Sequence, residues 1–144
     1  MKGFRHVLQG EAQRDLMLTD AFKHGIGLLS KYNFTYDILI FTDQLKYAAQ
    51  LVSEYPNQCF VLDHIAKPDI KNNKIDGWKT DINTLAQYQN VNCKVSGMVT
   101  EADLRRWKFE DFKPYLDVIF ESFGIKRIMF GSDWPVCRIA ATYG

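Results

Sequence analysis

At 144 residues, 47% of them hydrophobic, the chain is long enough to bury a core, and its net charge of +1 with mixed signs leaves no basic stripe for nucleic acid. No apolar run approaches the roughly 20 residues that cross a bilayer, and the opening Met1-Lys2-Gly3-Phe4-Arg5-His6 lacks the apolar block of a secretory signal. Three cysteines, Cys59, Cys93 and Cys137, lie in or beside strand-like runs and read as buried, reduced thiols of a cytoplasmic protein.

In chain order, residues 4–8 read as a short strand, followed by a polar loop through Asp15. Phe22, Ile26 and Leu29 keep helical spacing over 20–32, with Thr19 or Asp20 as the N-cap. Residues 36–41 form a near-continuous apolar strand. Asp43 is placed to cap the next helix, whose buried stripe is Leu45, Ala48, Ala49, Val52 and Tyr55 and which Pro56 stops.

The same unit then repeats. Residues 59–64 read as a strand, and Lys67-Pro68 opens a long polar loop. A helix over 78–88 follows, with Trp78, Ile82 and Leu85 on its core side. Residues 91–97 read as a strand, and a loop through Trp107 leads to a helix over 111–123 marked by Phe112, Leu116, Ile119, Phe120 and Phe123. Pro114 is tolerated there only in the first helical turn. The last strand covers 127–130. Apolar strands alternating with amphipathic helices predict an α/β fold with a parallel sheet, and no linker divides residues 1–144 into two domains.

In such a sheet, functional groups gather beyond the C-terminal ends of the strands. Those ends carry Arg5 and His6, then Thr42 and Asp43, then Asp63, His64 and Lys67, then Lys94 and Ser96, then Asp133 and Trp134. Five successive strands ending in polar groups point to an active site. Asp133 suits a general base or a metal ligand that orients water, and His64 suits a metal ligand or a hydrogen-bond donor to a substrate carbonyl. Two such groups fall short of the three or four protein ligands a tight metal site needs. Arg5 offers a planar fork for a carboxylate or hydroxyls, with His6 beside it. Lys67 and Lys94 serve either as substrate cations or as strand-end lysines reaching solvent, and Trp134 either walls a pocket or packs its turn. Ser96 has no histidine placed as in a nucleophile elbow, which removes a serine hydrolase, and Asp37 reads equally well as a strand residue facing a helix.

Five segments, in order, then resemble one family: Gly3-Phe4-Arg5-His6-Val7-Leu8-Gln9, Tyr36-Asp37-Ile38-Leu39, Phe60-Val61-Leu62-Asp63-His64-Ile65-Ala66-Lys67-Pro68, Cys93-Lys94-Val95-Ser96-Gly97-Met98-Val99-Thr100-Glu101 and Phe130-Gly131-Ser132-Asp133-Trp134-Pro135-Val136-Cys137. The chain resembles the amidohydrolase-related family, in the branch of metal-dependent hydrolases that includes sugar lactonases. The resemblance implies a (β/α)₈ TIM barrel of which these residues supply strands four to eight, an incomplete barrel of about five parallel strands. It implies a hydrolase acting on a C–O bond of a small sugar lactone, with Asp133 and His64 catalytic, Arg5, His6, Lys67, Lys94 and Trp134 on the substrate, and a divalent metal such as zinc on Asp133 and His64, or a metal-free route.

The family's first strand carries a His-x-His pair, whereas His6, His24 and His64 include no two separated by one residue. The chain is therefore expected to be a partial barrel. Its open sheet edges invite pairing in a homo-oligomer, and the competing expectation is a catalytically silent piece that only folds or associates.

Overall fold

The computed structural model describes residues 2–142. Among them, strands β1 (Gly3–His6), β2 (Thr35–Ile38), β3 (Phe60–Leu62), β4 (Val91–Val95) and β5 (Ile128–Phe130) alternate with helices α1 (Asp20–Lys31), α2 (Leu45–Glu54), α3 (Asp76–Ala86) and α4 (Phe109–Phe123). All neighbouring strands pair in parallel, in the order β1-β2-β3-β4-β5, as the strand–helix alternation predicts. Every strand therefore ends on the same side of one open sheet. This is an incomplete form of the predicted barrel.

The two-residue period of a strand separates the chemistry. Tyr36, Ile38, Phe60, Leu62, Val91 and Cys93 are buried on the face that the helices cover. The opposite face carries Arg5, Asp37, Val61 and Lys94, brought across by the register Arg5↔Asp37, Asp37↔Val61 and Lys94↔Met129. Helices α2, α3 and α4 close over the apolar face with Leu45, Leu51, Trp78, Ile82, Leu85, Tyr115 and Ile119. The stripes expected on α2 and α3 are the buried ones, except that Tyr55 is only partly covered. On α4, Phe120 is 48% exposed rather than buried.

Several boundaries and caps differ from expectation for local reasons. Thr19 does cap α1, its Oγ1 accepting from Phe22 N at 3.4 Å. Asp43 does not cap α2. Both of its carboxylate oxygens accept from the Arg14 guanidinium, at 2.7 and 2.8 Å. Gln44 does the local work instead: fully buried, it accepts from Phe41 N (3.2 Å) and donates to the carbonyls of Leu8 (3.1 Å) and Arg14 (3.2 Å). Pro114 is the sixth residue of α4, not in its first turn; the carbonyl it leaves without its helical partner belongs to Glu110, an exposed residue. The strand expected over 59–64 stops at Leu62, because the chain turns left-handed beyond it. The segment after Lys67-Pro68 is not a plain polar loop, since Ile70 within it is buried.

The cysteines are free, but Cys59 is exposed while Cys93 and Cys137 are buried, which corrects the expectation of three buried thiols. Burial pushes the Cys93 thiol well above its ordinary range and keeps it protonated. Among the described residues no helix is long and apolar enough to cross a membrane.

Gln44 ties the loop after β1 to the start of α2, so its loss orphans several buried groups at once. Gln44→Ala is expected to lower unfolding stability by about 2–4 kcal/mol in urea titrations, and Gln44→Glu, which sets a carboxylate against two carbonyls, to cost at least as much.

Candidate active site

The site is built where β1 to β5 end. On the polar face, Asp63 directly follows β3, and its side chain is 0% exposed. A buried carboxylate needs compensation, and two cations provide it. Arg5 Nη1 donates to Asp63 Oδ2 at 3.0 Å, and Lys94 Nζ donates to Asp63 Oδ1. Lys94 also reaches Asp37 Oδ2 at 3.2 Å. Four ions from four adjacent strands thus form one ladder. Burial alone would depress the Lys94 ammonium, but its bonds to Asp63 and Asp37 outweigh that and raise its pKa.

Beyond Asp63 the backbone takes an unusual course. His64 (φ 53°, ψ 34°), Ile65 (φ 48°, ψ 29°), Ala66 (φ 59°) and Lys67 (φ 49°, ψ 64°) are all left-handed, and none is glycine. Each such residue costs about 1–2 kcal/mol, and a β-branched isoleucine is the least suited of the four. The turn persists because its surroundings hold it. Ile65 and Ala66 are fully buried, Trp78 Nε1 donates to the Ile65 carbonyl at 2.8 Å, and Lys67 N donates to the His64 carbonyl at 2.9 Å.

The turn directs His64 across the mouth of the sheet. Its Nδ1 lies 2.8 Å from Ser96 Oγ, just past β4, and its Nε2 lies 3.6 Å from Asp133 Oδ1, just past β5. Burial lowers the His64 pKa from the ordinary 6.5; Asp133 and Asp63 oppose the shift, and Lys67 and Lys94 add to it. The imidazole is therefore neutral at pH 7. Asp133 is itself left-handed (φ 58°), and its side chain is mostly covered.

Gly97 (φ +64°) permits the approach of the two groups. A Cβ there would lie 3.0 Å from His64 Nδ1 and 3.2 Å from Asp133 Oδ2, closer than the packed neighbours allow.

The structure gathers Arg5, His64, Lys67, Lys94 and Asp133 at this end of the sheet, but not all of them face one another. His6, next to Arg5 on β1, points to the other side and pairs with Glu11 at 2.7 Å. Trp134 is 62% exposed at the rim. Lys67 is turned onto Glu101 at 3.0 Å. Asp37, read as a residue that could equally face a helix, lies on the polar face beside Lys94. Sequence reasoning missed Asp63 as the buried anchor, Ser96 as the partner of His64, Gly97 as the floor and Glu101 as the partner of Lys67. Alternation along β2 and β4 could have put Asp37 and Lys94 on one face. Asp63 and Ser96 were legible only as polar strand-end residues, and nothing local announced the roles of Gly97 and Glu101.

His64 Nε2 and Asp133 are two nitrogen and oxygen donors of the kind zinc takes. Among the described residues, however, no three His, Cys, Asp or Glu side chains form a metal-binding group. These residues do not by themselves make a zinc site, and no chemistry below is routed through a metal.

The family model described as amidohydrolase (Amidohydro_2) matches residues 1–144. An L-fucono-1,5-lactonase of Burkholderia multivorans is 38% identical over 99% of this chain and 52% of its own length. A second L-fucono-1,5-lactonase, from Burkholderia ambifaria, is 33% identical over 99% of this chain and 49% of its length. An amidohydrolase crystal structure from Burkholderia multivorans with bound zinc superposes with a TM-score of 0.93 at 38% identity, covering 99% of this chain and 53% of that one. The chain thus spans about half the length of the relatives it matches.

Two expectations follow. An NMR pH series should show the His64 imidazole titrating below 6.5, with the histidine's stability contribution full above that value and falling as pH drops through it, because the folded state disfavours the protonated ring. Gly97→Ala should lower unfolding stability by about 1–3 kcal/mol in chemical denaturation, from the left-handed backbone and the contacts with His64 and Asp133 together.

Proposed function

The chain belongs to the amidohydrolase family, and on that premise we propose that it forms the catalytic part of a hydrolase that opens sugar lactones. Residues 1–144 are read as one partial barrel domain. The observation that carries the reading is the meeting of Asp133 with a buried, neutral His64 beside a ladder of fixed charges at the C-terminal ends of parallel strands. The two lactonase relatives, alike over almost the whole of this chain, support the substrate class.

In the proposed reaction, water lies against the Asp133 carboxylate. Asp133 takes a proton as the water oxygen attacks the lactone carbonyl. The neutral His64, with its proton on Nε2, donates a hydrogen bond to the carbonyl oxygen as that atom gains charge. The tetrahedral intermediate then collapses, the ring C–O bond breaks, and the departing alkoxide takes the proton from Asp133. The products are the open hydroxy acid and the regenerated carboxylate. Atoms and protons balance without a co-reactant.

A neutral histidine suits this geometry because it can donate from Nε2 to the oxygen while Nδ1 accepts from Ser96 Oγ. A lactone is an activated ester, so one base and a few oriented dipoles are enough. Arg5, Lys94 and Lys67 carry ammonium and guanidinium donors that suit the hydroxyls of a sugar ring, with Trp134 at the rim, while His6, turned away onto Glu11, takes no part. Zinc is the ion bound in one relative's structure. In the whole protein a divalent metal on His64 and Asp133 would need further ligands from outside the described residues.

The test is acid release from a panel of neutral sugar 1,5- and 1,4-lactones by the full-length protein. Asp133→Asn is expected to lower kcat by about 10²–10⁴-fold with little change in KM, and full activity in that variant would remove Asp133 from the base role.

A further inference from the structure

The left-handed turn that carries His64 and Lys67 is bound to the rest of the molecule by few polar contacts, and Glu101 supplies one of them and a second to the segment just after it. Its carboxylate accepts from Lys67 Nζ at 3.0 Å, and its backbone carbonyl accepts from Lys71 N at 3.0 Å. Both side chains of the ion pair are largely covered, at 11% and 19% exposed, so the pair is shielded from the solvent that weakens surface pairs.

Glu101 is itself oriented from behind. Thr100 Oγ1 lies 2.8 Å from the Gly97 carbonyl and 3.2 Å from Glu101 Oε1, so its single proton is shared between these two acceptors. The same short segment that sets Ser96 against His64 and Gly97 beneath Asp133 therefore ends in the residue that grips Lys67. A backbone as strained as 64–67 needs restraint on both flanks to stay in one geometry. Ser96 restrains its first residue, Trp78 its second, and Glu101 its fourth.

We propose that Glu101 is a positioning residue of this site: through Lys67 it clamps the left-handed turn, and so keeps His64 aimed at Asp133. The proposal rests on the lactone-hydrolase reading only for its catalytic consequence, because the clamp itself is a property of the fold. It also assigns Lys67 a double duty, with its ammonium shared between Glu101 and the site rather than free for substrate alone. Glu101→Gln keeps the reach and an acceptor oxygen. Glu101→Asp keeps the charge but is one methylene too short to meet Lys67 from the same backbone. The two variants separate charge from position.

The experiment uses the full-length protein and two readouts. In native-state hydrogen exchange, Glu101→Asp is expected to speed exchange of the Lys67 amide by about ten-fold or more, with Glu101→Gln changing it less and the amides of α2 unchanged in both. In a Lys67→Met background, Glu101→Asp should add less than about two-fold, because the contact it breaks is already gone. Turnover of a neutral sugar lactone should fall in kcat in Glu101→Asp by a similar factor and recover in Glu101→Gln. Unchanged exchange at Lys67 in Glu101→Asp, or equal effects of that substitution with and without Lys67, would overturn the clamp. If the wild-type protein hydrolyses no lactone while the exchange results hold, the functional reading fails and the clamp stands.

Discussion

The site depends on one buried carboxylate. Asp63 is removed from water at the end of β3, and an ion so placed persists only when oppositely charged donors replace its hydration. Arg5 from β1 and Lys94 from β4 supply them, and Lys94 extends the network to Asp37 on β2. The polar face is therefore a set of fixed dipoles and charges tied to four strands. Side chains held this way need little reorganisation when charge moves during a reaction, which is the property that electrostatic catalysis requires. The same network explains why Arg5 and Lys94 cannot be treated as free cations awaiting an anionic ligand.

The residue after this anchor is where geometry becomes chemistry. Four left-handed residues in succession represent about 4–8 kcal/mol of unfavourable backbone conformation. The core offsets that cost by enclosing Ile65 and Ala66 completely, while Trp78, drawn from the apolar stripe of α3, spends its one polar atom on the Ile65 carbonyl. A residue read from its spacing as plain core packing thus also holds the backbone of the candidate site. The outcome is a histidine with Nδ1 held by Ser96 and Nε2 turned towards Asp133 at 3.6 Å, still able to donate to a ligand between them.

Much of the fold was legible because it rests on periodicities. Alternating strand and helix patterns predicted a parallel sheet covered by helices, and the stripes Leu45-Ala48-Ala49-Val52 and Trp78-Ile82-Leu85 are the buried ones. The ends of elements were less legible. Residues 63 and 64 look like a continuation of β3 by composition, and only tertiary packing makes the chain leave the strand there. Site residues separated the same way. Asp133 and His64 were recognisable as strand-end groups within ordered motifs and do meet. Asp63, Ser96 and Glu101 act through partners 31 to 58 positions away, a distance over which no local pattern carries information.

The charge ladder also bears on how the strands find one another. Because Arg5, Asp37, Asp63 and Lys94 occupy one face and Tyr36, Ile38, Leu62 and Cys93 the other, sliding any strand by one position would exchange the two sets. An aspartate or lysine would then be pressed among the helices, while an apolar side chain faced the remaining ions. The penalty is large on both faces at once, so misaligned pairings are far above the native one in free energy. Groups suited to chemistry at the mouth of the sheet thereby serve as the key that admits one alignment of the chain, and assembling the fold and assembling the site become the same event.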